Sequence, residues 1–236
     1  MPEQAPNKPR HSVIVNLLFN IIIPTLILTK LSSEAYLGPS YSIVIALAFP
    51  LGFGVYDFVK TRRANMFAIL GFISVLLTGG ISLLELDAEY IAIKEASIPA
   101  LIGIATLISL YTPYPLIKTF IFNDEIIDTE KVTSALNKHN SGAMFQKALQ
   151  TATYMIAFSF FLSATLNYAL AKILLVSPPG SAEYSAELGK MTGLSFPVIA
   201  LPCTIVMLGA MFYLVKRIEK LTALSFEDIF KINQES

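Results

Sequence analysis

The sequence predicts an all-α, polytopic integral membrane protein with six transmembrane helices. Three observations lead there: a mean hydropathy of +0.63, a charged fraction of only 14%, and six uninterrupted runs free of Asp, Glu, Lys and Arg. Soluble domains carry about a quarter charged residues. The runs cover residues 12–29, 35–56, 64–84, 96–117, 148–171 and 191–215, and are 18, 22, 21, 22, 24 and 25 residues long. About 20 apolar residues rising 1.5 Å each cross a hydrocarbon core of roughly 30 Å. Spans are therefore expected at about 12–30, 38–58, 65–84, 97–117, 150–172 and 192–215, within a single helical domain.

Taken in order, the first run reads as a span rather than a cleaved leader, because it is long, is interrupted by Asn16, Asn20 and Pro24, and lacks a small-x-small site. Asn16 and Asn20 stand four apart, so they share a helix face from which amides can bond a neighbouring helix. The second span carries Pro50, Gly52 and Gly54 and ends at Asp57 and Lys60. Gly79 and Gly80 near the end of the third span would let another helix approach closely. Pro113 and Pro115 close the fourth. The fifth holds Asn167 among Ser159, Ser163 and Thr165, and the sixth carries Pro197, Pro202 and the single Cys203.

The 118–147 connection is the long one. Asp128 is placed to cap a helix running to about Lys138, Asn140-Ser-Gly breaks it, and Ser141 is placed to cap a helix leading into the fifth span. In the 216–236 tail, Ser225 and Asp228 have capping-box spacing ahead of Ile229, Phe230 and Ile232, which would suit a segment lying on the inner membrane face. Thirteen of the 17 Lys and Arg fall in the N-terminal flank, 60–63, 118–147 and the tail. Cytoplasmic connections retain positive charge, so both termini are expected inside.

Several function classes drop out. One cysteine cannot build a disulfide scaffold, and a net charge of zero gives no footprint for nucleic acid. His11 and His139 stand apart, with no HExxH, no paired ligands, no Gly-x-Ser-x-Gly and no phosphate loop. No catalytic, cofactor or metal site is expected. Polar groups in hydrocarbon need partners, which makes Asn16, Asn20 and Asn167 the candidate intramembrane cluster, with interhelical bonding favoured over a solute site. Asp57, Glu85, Asp87, Lys94 and Lys190 are the candidate interfacial charges.

The stretch from Gly79-Gly80 through Asp87-Ala-Glu-Tyr90 to Lys94, then Pro99 to Gly103, Leu107 to Ser109 and Pro115-Leu-Ile117, resembles the central signature of the bacterial intracellular septation protein A family. Asn167, Lys190-Met-Thr-Gly193 and Lys216-Arg217 continue the likeness in order, so that it covers roughly residues 42–217. The chain departs from that pattern in having no tryptophan, an added first span and a longer link between the fourth and fifth spans, and so resembles a divergent branch. The resemblance implies a multi-pass inner-membrane protein acting in septation and envelope upkeep through division and wall-synthesis proteins. It carries over to Gly79, Gly80, Asp87, Tyr90, Lys94, Asn167, Lys190 and Gly193, and raises the expectation that Lys94 and Lys190 pair with Asp87 or Glu85 or meet anionic headgroups. The leading reading is a non-enzymatic bacterial inner-membrane protein with membrane lipids, envelope or division proteins, or a second copy of itself as partners. The alternative is a small secondary transporter or channel for an ion or hydrophobic solute.

Overall fold

The structure, a computed structural model, describes residues 13–61, 66–112, 116–117 and 127–230. Helix makes up 85% of these residues, and there is no strand among them. Helix α1 comprises Val13–Leu17, a π-helical turn at Leu18–Ile22 and Ile23–Lys30. It is followed by α2 (Gly38–Thr61), α3 (Met66–Leu83), α4 (Ala88–Ser109), α5 (Thr129–Lys138) and α6 (Gly142–Leu174). Helix α7 comprises Ala182–Ser195, a second π-helical turn at Phe196–Ala200 and Leu201–Thr222, and α8 is the single turn Phe226–Ile229.

Among the described residues, four helices are long and apolar enough to cross a membrane: Gly38–Lys60, Ala88–Ser109, Gly142–Leu174 and Ala182–Thr222. Val15–Lys30 and Ile69–Leu83 are apolar but shorter. Only between 17% and 33% of the residues in each of the four are buried. On α7, Leu201, Ile205, Leu208 and Phe212 recur at helical spacing and are all at least half exposed. Soluble proteins seldom leave so continuous an apolar face in water.

Both π-helical turns lie just ahead of a proline, Pro24 and Pro202, in the first turn of the segment that follows. Proline brings no N–H and pushes against the carbonyl four residues back. Widening the turn before it relieves that crowding without ending the helix.

Helix boundaries differ from the charge-free runs wherever a helix carries its own charges. The fourth helix, expected over 97–117, starts at Ala88 and ends at Ser109. Asp87 accepts from the Glu89 N–H at 2.7 Å and so starts the helix early. The end falls short of Pro113, consistent with the preference of residues near proline for non-helical backbone. The fifth and sixth expected spans likewise extend to Gly142–Leu174 and Ala182–Thr222, the latter from a Ser181 cap that accepts from Tyr184 N–H.

The chain divides into two compact units, Met1–Glu95 with Tyr168–Phe196, and Ala96–Asn167 with Pro197–Ser236. In the first, α1 packs on α7 through Gly189 and Gly193, four residues apart. A Cβ on Gly193 would lie 3.1 Å from Thr25 Cγ2. This small-xxx-small face brings two helices to close range, the usual device where lipid supplies no hydrophobic drive.

The second unit ends in a polar cap. The Asp128 side chain accepts from Lys131 N–H, as the sequence suggested, and α5 ends at Lys138 with Asn140 in the left-handed region at φ 51°. Ser141 precedes α6, but its hydroxyl turns back to donate to the His139 carbonyl instead of capping the helix. Ser225 and Asp228 form the expected capping box. Up to Phe230 the tail packs into the fold, Ile232 lying outside the described residues: Asp128 N–H donates to the Ile229 carbonyl at 2.8 Å, and Lys131 pairs with Asp228 at 2.6 Å. Ile127, Val132, Phe145, Ile218 and Ile229 close the cap's apolar core.

Candidate functional site

The most demanding polar group in the spans is Lys94. It lies six residues into α4, about 9 Å along the axis at 1.5 Å per residue, and is only 9% exposed. Its ammonium meets the Glu95 carboxylate at 2.6 Å, the Ser74 hydroxyl at 3.1 Å, the Ser74 carbonyl at 3.3 Å and the Thr78 hydroxyl. Ser74 and Thr78 stand four apart, so α3 presents both hydroxyls on one face. Thr78 also donates to the Ser74 carbonyl at 3.0 Å, fixing its rotamer. An ammonium has three donors and no acceptor, and here every donor direction is occupied. A buried charge held this completely is compatible with an apolar setting, whereas an unpaired one would not be.

The resemblance pointed to Asp87, Glu85 or anionic headgroups as partners of Lys94; the structure pairs Lys94 with Glu95. Asp87 is committed to the start of α4. Glu85 sits in the turn before it with φ 53°, and its carboxyl lies over Gly180, where a Cβ would come within 2.6 Å. Gly180 itself has φ 82°, so glycine is required there twice over. Lys190 is exposed on α7, and Tyr90 is 56% exposed on α4. Asp57 is half-buried near the end of α2, while Arg62 and Arg63 lie outside the described residues.

The candidate amide cluster resolves differently from its expectation. Asn20 donates to the Asn16 carbonyl at 2.9 Å, and Asn167 donates to the Ser163 carbonyl at 2.8 Å and hydroxyl at 3.3 Å. These amides turn onto their own helices, four residues back, rather than onto a neighbour. Asn16 and Asn20 belong to the first unit and Asn167 to the second. Of the paired glycines, Gly79 is crowded, with a Cβ placed 2.9 Å from Leu47 Cδ1, and Gly80 has nothing within 4 Å.

The candidate residues drawn from the sequence do not include Glu95, Ser74 or Thr78. Nor do they include Glu89, which joins α4 to α6 by accepting from Lys172 at 2.6 Å and from the Tyr168 hydroxyl at 2.7 Å. The Ser74-x-x-x-Thr78 spacing and the acid at the start of α4 were the available signals. The first unit also carries an apolar groove of about 370 Å³ between α1 and α2, lined by Val15, Phe19, Phe49, Gly52, Phe53 and Tyr56 among others. Among the described residues no three His, Cys, Asp or Glu side chains converge as a metal site would require. No protein-family model, curated protein or solved structure matches the chain, so the resemblance to the septation protein A family rests on its spaced residues alone.

Proposed function

We propose that this chain is a non-enzymatic protein of the bacterial inner membrane, of the septation protein A-like type, that acts in envelope maintenance or division through protein or lipid contacts. In this reading it crosses the bilayer six times with both termini in the cytoplasm, α1 and α3 completing the set of four longer helices. The observation that carries it is the polar cap. Ion pairing, a capping box and a shared apolar core hold α5 and α8 as a fixed surface, with Thr133, Ser134 and Asn137 exposed on α5. Such a surface suits recognition. The amides turned onto their own helices and the apolar lining of the groove leave little to bind a polar solute.

A photo-crosslinking residue at Thr133 or Asn137, irradiated in native membranes, tests this. Adducts with a division or wall-synthesis protein are expected. Adducts with lipid alone, or none, would remove the cap as a docking surface.

One observation favours the transport alternative: the buried Lys94–Glu95 pair, since ionisable residues inside a membrane commonly mark ion pathways. Flux into proteoliposomes that disappears in Lys94→Met would move the assignment there.

A further inference from the structure

We infer that the groove between α1 and α2 is a seat for one acyl chain of an anionic phospholipid, whose headgroup is drawn to Lys60. The inference rests on the bilayer placement proposed above and is independent of the protein-partner reading. On α2 the lining residues Ala48, Phe49, Gly52, Phe53 and Tyr56 follow one helical face for two turns. Phe19 of α1 stacks on Phe53, ring centroids 5.8 Å apart, and tilts against Phe49 at 6.2 Å, which gives the groove an aromatic wall.

Gly52 explains why the space is open. Its backbone is helical, and a Cβ there would meet nothing within 4 Å, so neither a turn nor close packing requires glycine. Glycine weakens a helix interior relative to alanine. Its missing side chain deepens the groove.

The chemistry of the groove's end identifies the occupant. Tyr56 closes the lining, and one turn on the Lys60 ammonium stands 5.4 Å from the Tyr56 ring and 3.4 Å from its hydroxyl. In the sequence, Arg62 and Arg63 follow directly, and Asp57 is the one carboxylate between Glu34 and Glu85. An apolar slot ending in basic charge complements a lipid with an acyl chain and an anionic headgroup, and a neutral lipid would lack the second attraction.

The test is native mass spectrometry of the full chain in detergent, titrated with phosphatidylglycerol and with phosphatidylcholine. The wild type should retain phosphatidylglycerol preferentially, and Lys60→Gln should lose that preference. Gly52→Leu should weaken retention about tenfold, the loss expected when a couple of buried methylenes are displaced. Gly54→Leu is the control, because a Cβ at Gly54 also meets nothing within 4 Å and Gly54 does not line the groove. Equal retention by Gly52→Leu and wild type would overturn the inference, as would indifference to headgroup charge. So would stronger lipid retention after deletion of residues 1–12, which would make the chain's own N-terminal segment the occupant, or a wild-type dimer that Gly52→Leu converts to monomer, which would make it a second copy. Recovery of the protein in the soluble fraction would instead sink the bilayer placement itself.

Discussion

The Cβ that Gly189 lacks would lie 2.7 Å from the Cβ of Leu28 and 3.2 Å from the Thr25 carbonyl oxygen, so α1 and α7 meet at backbone range. Neither neighbour is the far end of a flexible side chain. Gly189→Leu must therefore push the helices apart, at a cost of about 1–3 kcal/mol typical of overpacking. Thermal unfolding in detergent should show a clear loss for Gly189→Leu and almost none for Gly54→Ala, where nothing is crowded. Equal melting of the two variants would mean that the close approach does not hold the first unit together.

The Lys94–Glu95 pair makes a non-additive prediction. Removing one partner of a buried ion pair strands the other, at a cost of roughly 3–5 kcal/mol when burial is complete, whereas replacing both is often close to neutral. Lys94→Met and Glu95→Gln should each destabilise, with the smaller loss for Glu95→Gln because Ser74 and Thr78 still hold the ammonium. The double variant should be less harmed than the sum of the two. Strict additivity in a double-mutant cycle would show that the two side chains do not depend on each other.

The contrast between these sites shows what the sequence could and could not reveal. Hydrocarbon length and local capping are properties of neighbouring residues, so the helical class, the Asp128 cap and the Ser225–Asp228 box were legible directly. The start of α4 was not, because counting charge-free residues treats Lys94 and Glu95 as loop while their pairing lets a helix carry them inward. Identifying Ser74 and Thr78 as partners required knowing that α3 lies against α4, which no local pattern states. The spacing of Gly189 and Gly193 was visible, but not that α1 lay on the other side. The amides failed in the opposite direction: a carbonyl four residues back is always within reach of a helical Asn, and it competes with any neighbouring helix.

The polar cap should lose stability in acid for an identifiable reason. Hydrogen bonds from Lys131 and from Ser225 hold the Asp228 carboxyl down, from its ordinary 3.8 to about 2. A carboxylate whose pKa is depressed on folding stabilises above the unfolded value, and that contribution is lost as pH falls toward the folded one. The pairing is therefore fully present above about pH 4 and lost progressively between there and about pH 2. Protection of the Asp128 amide, which donates to Ile229, from hydrogen exchange should fall over this interval once the observed rate is divided into the intrinsic rate at each pH. Asp228→Asn should exchange faster at neutral pH and show a flatter acid response. An unchanged profile in that variant would mean that the Lys131 contact does not hold the cap closed.

Topology can be read chemically because Cys203, the single cysteine, is buried in α7 and Cys203→Ser removes it with little change in volume. Asn137 on the cap and Glu183 at the start of α7 are both exposed, so either accepts a reporter cysteine without entering a core. In the proposed topology, which follows from the concentration of 13 of the 17 Lys and Arg on the connections that include the cap, Asn137 is expected inside and Glu183 outside. In the Cys203→Ser background, a membrane-impermeant maleimide should label Glu183→Cys in intact spheroplasts, and Asn137→Cys only after permeabilisation. The reverse pattern would invert the protein in the membrane. Labelling of both from one side would require an even number of crossings between these positions, and since only the α6 run lies between them, it would mean that α6 does not cross the bilayer.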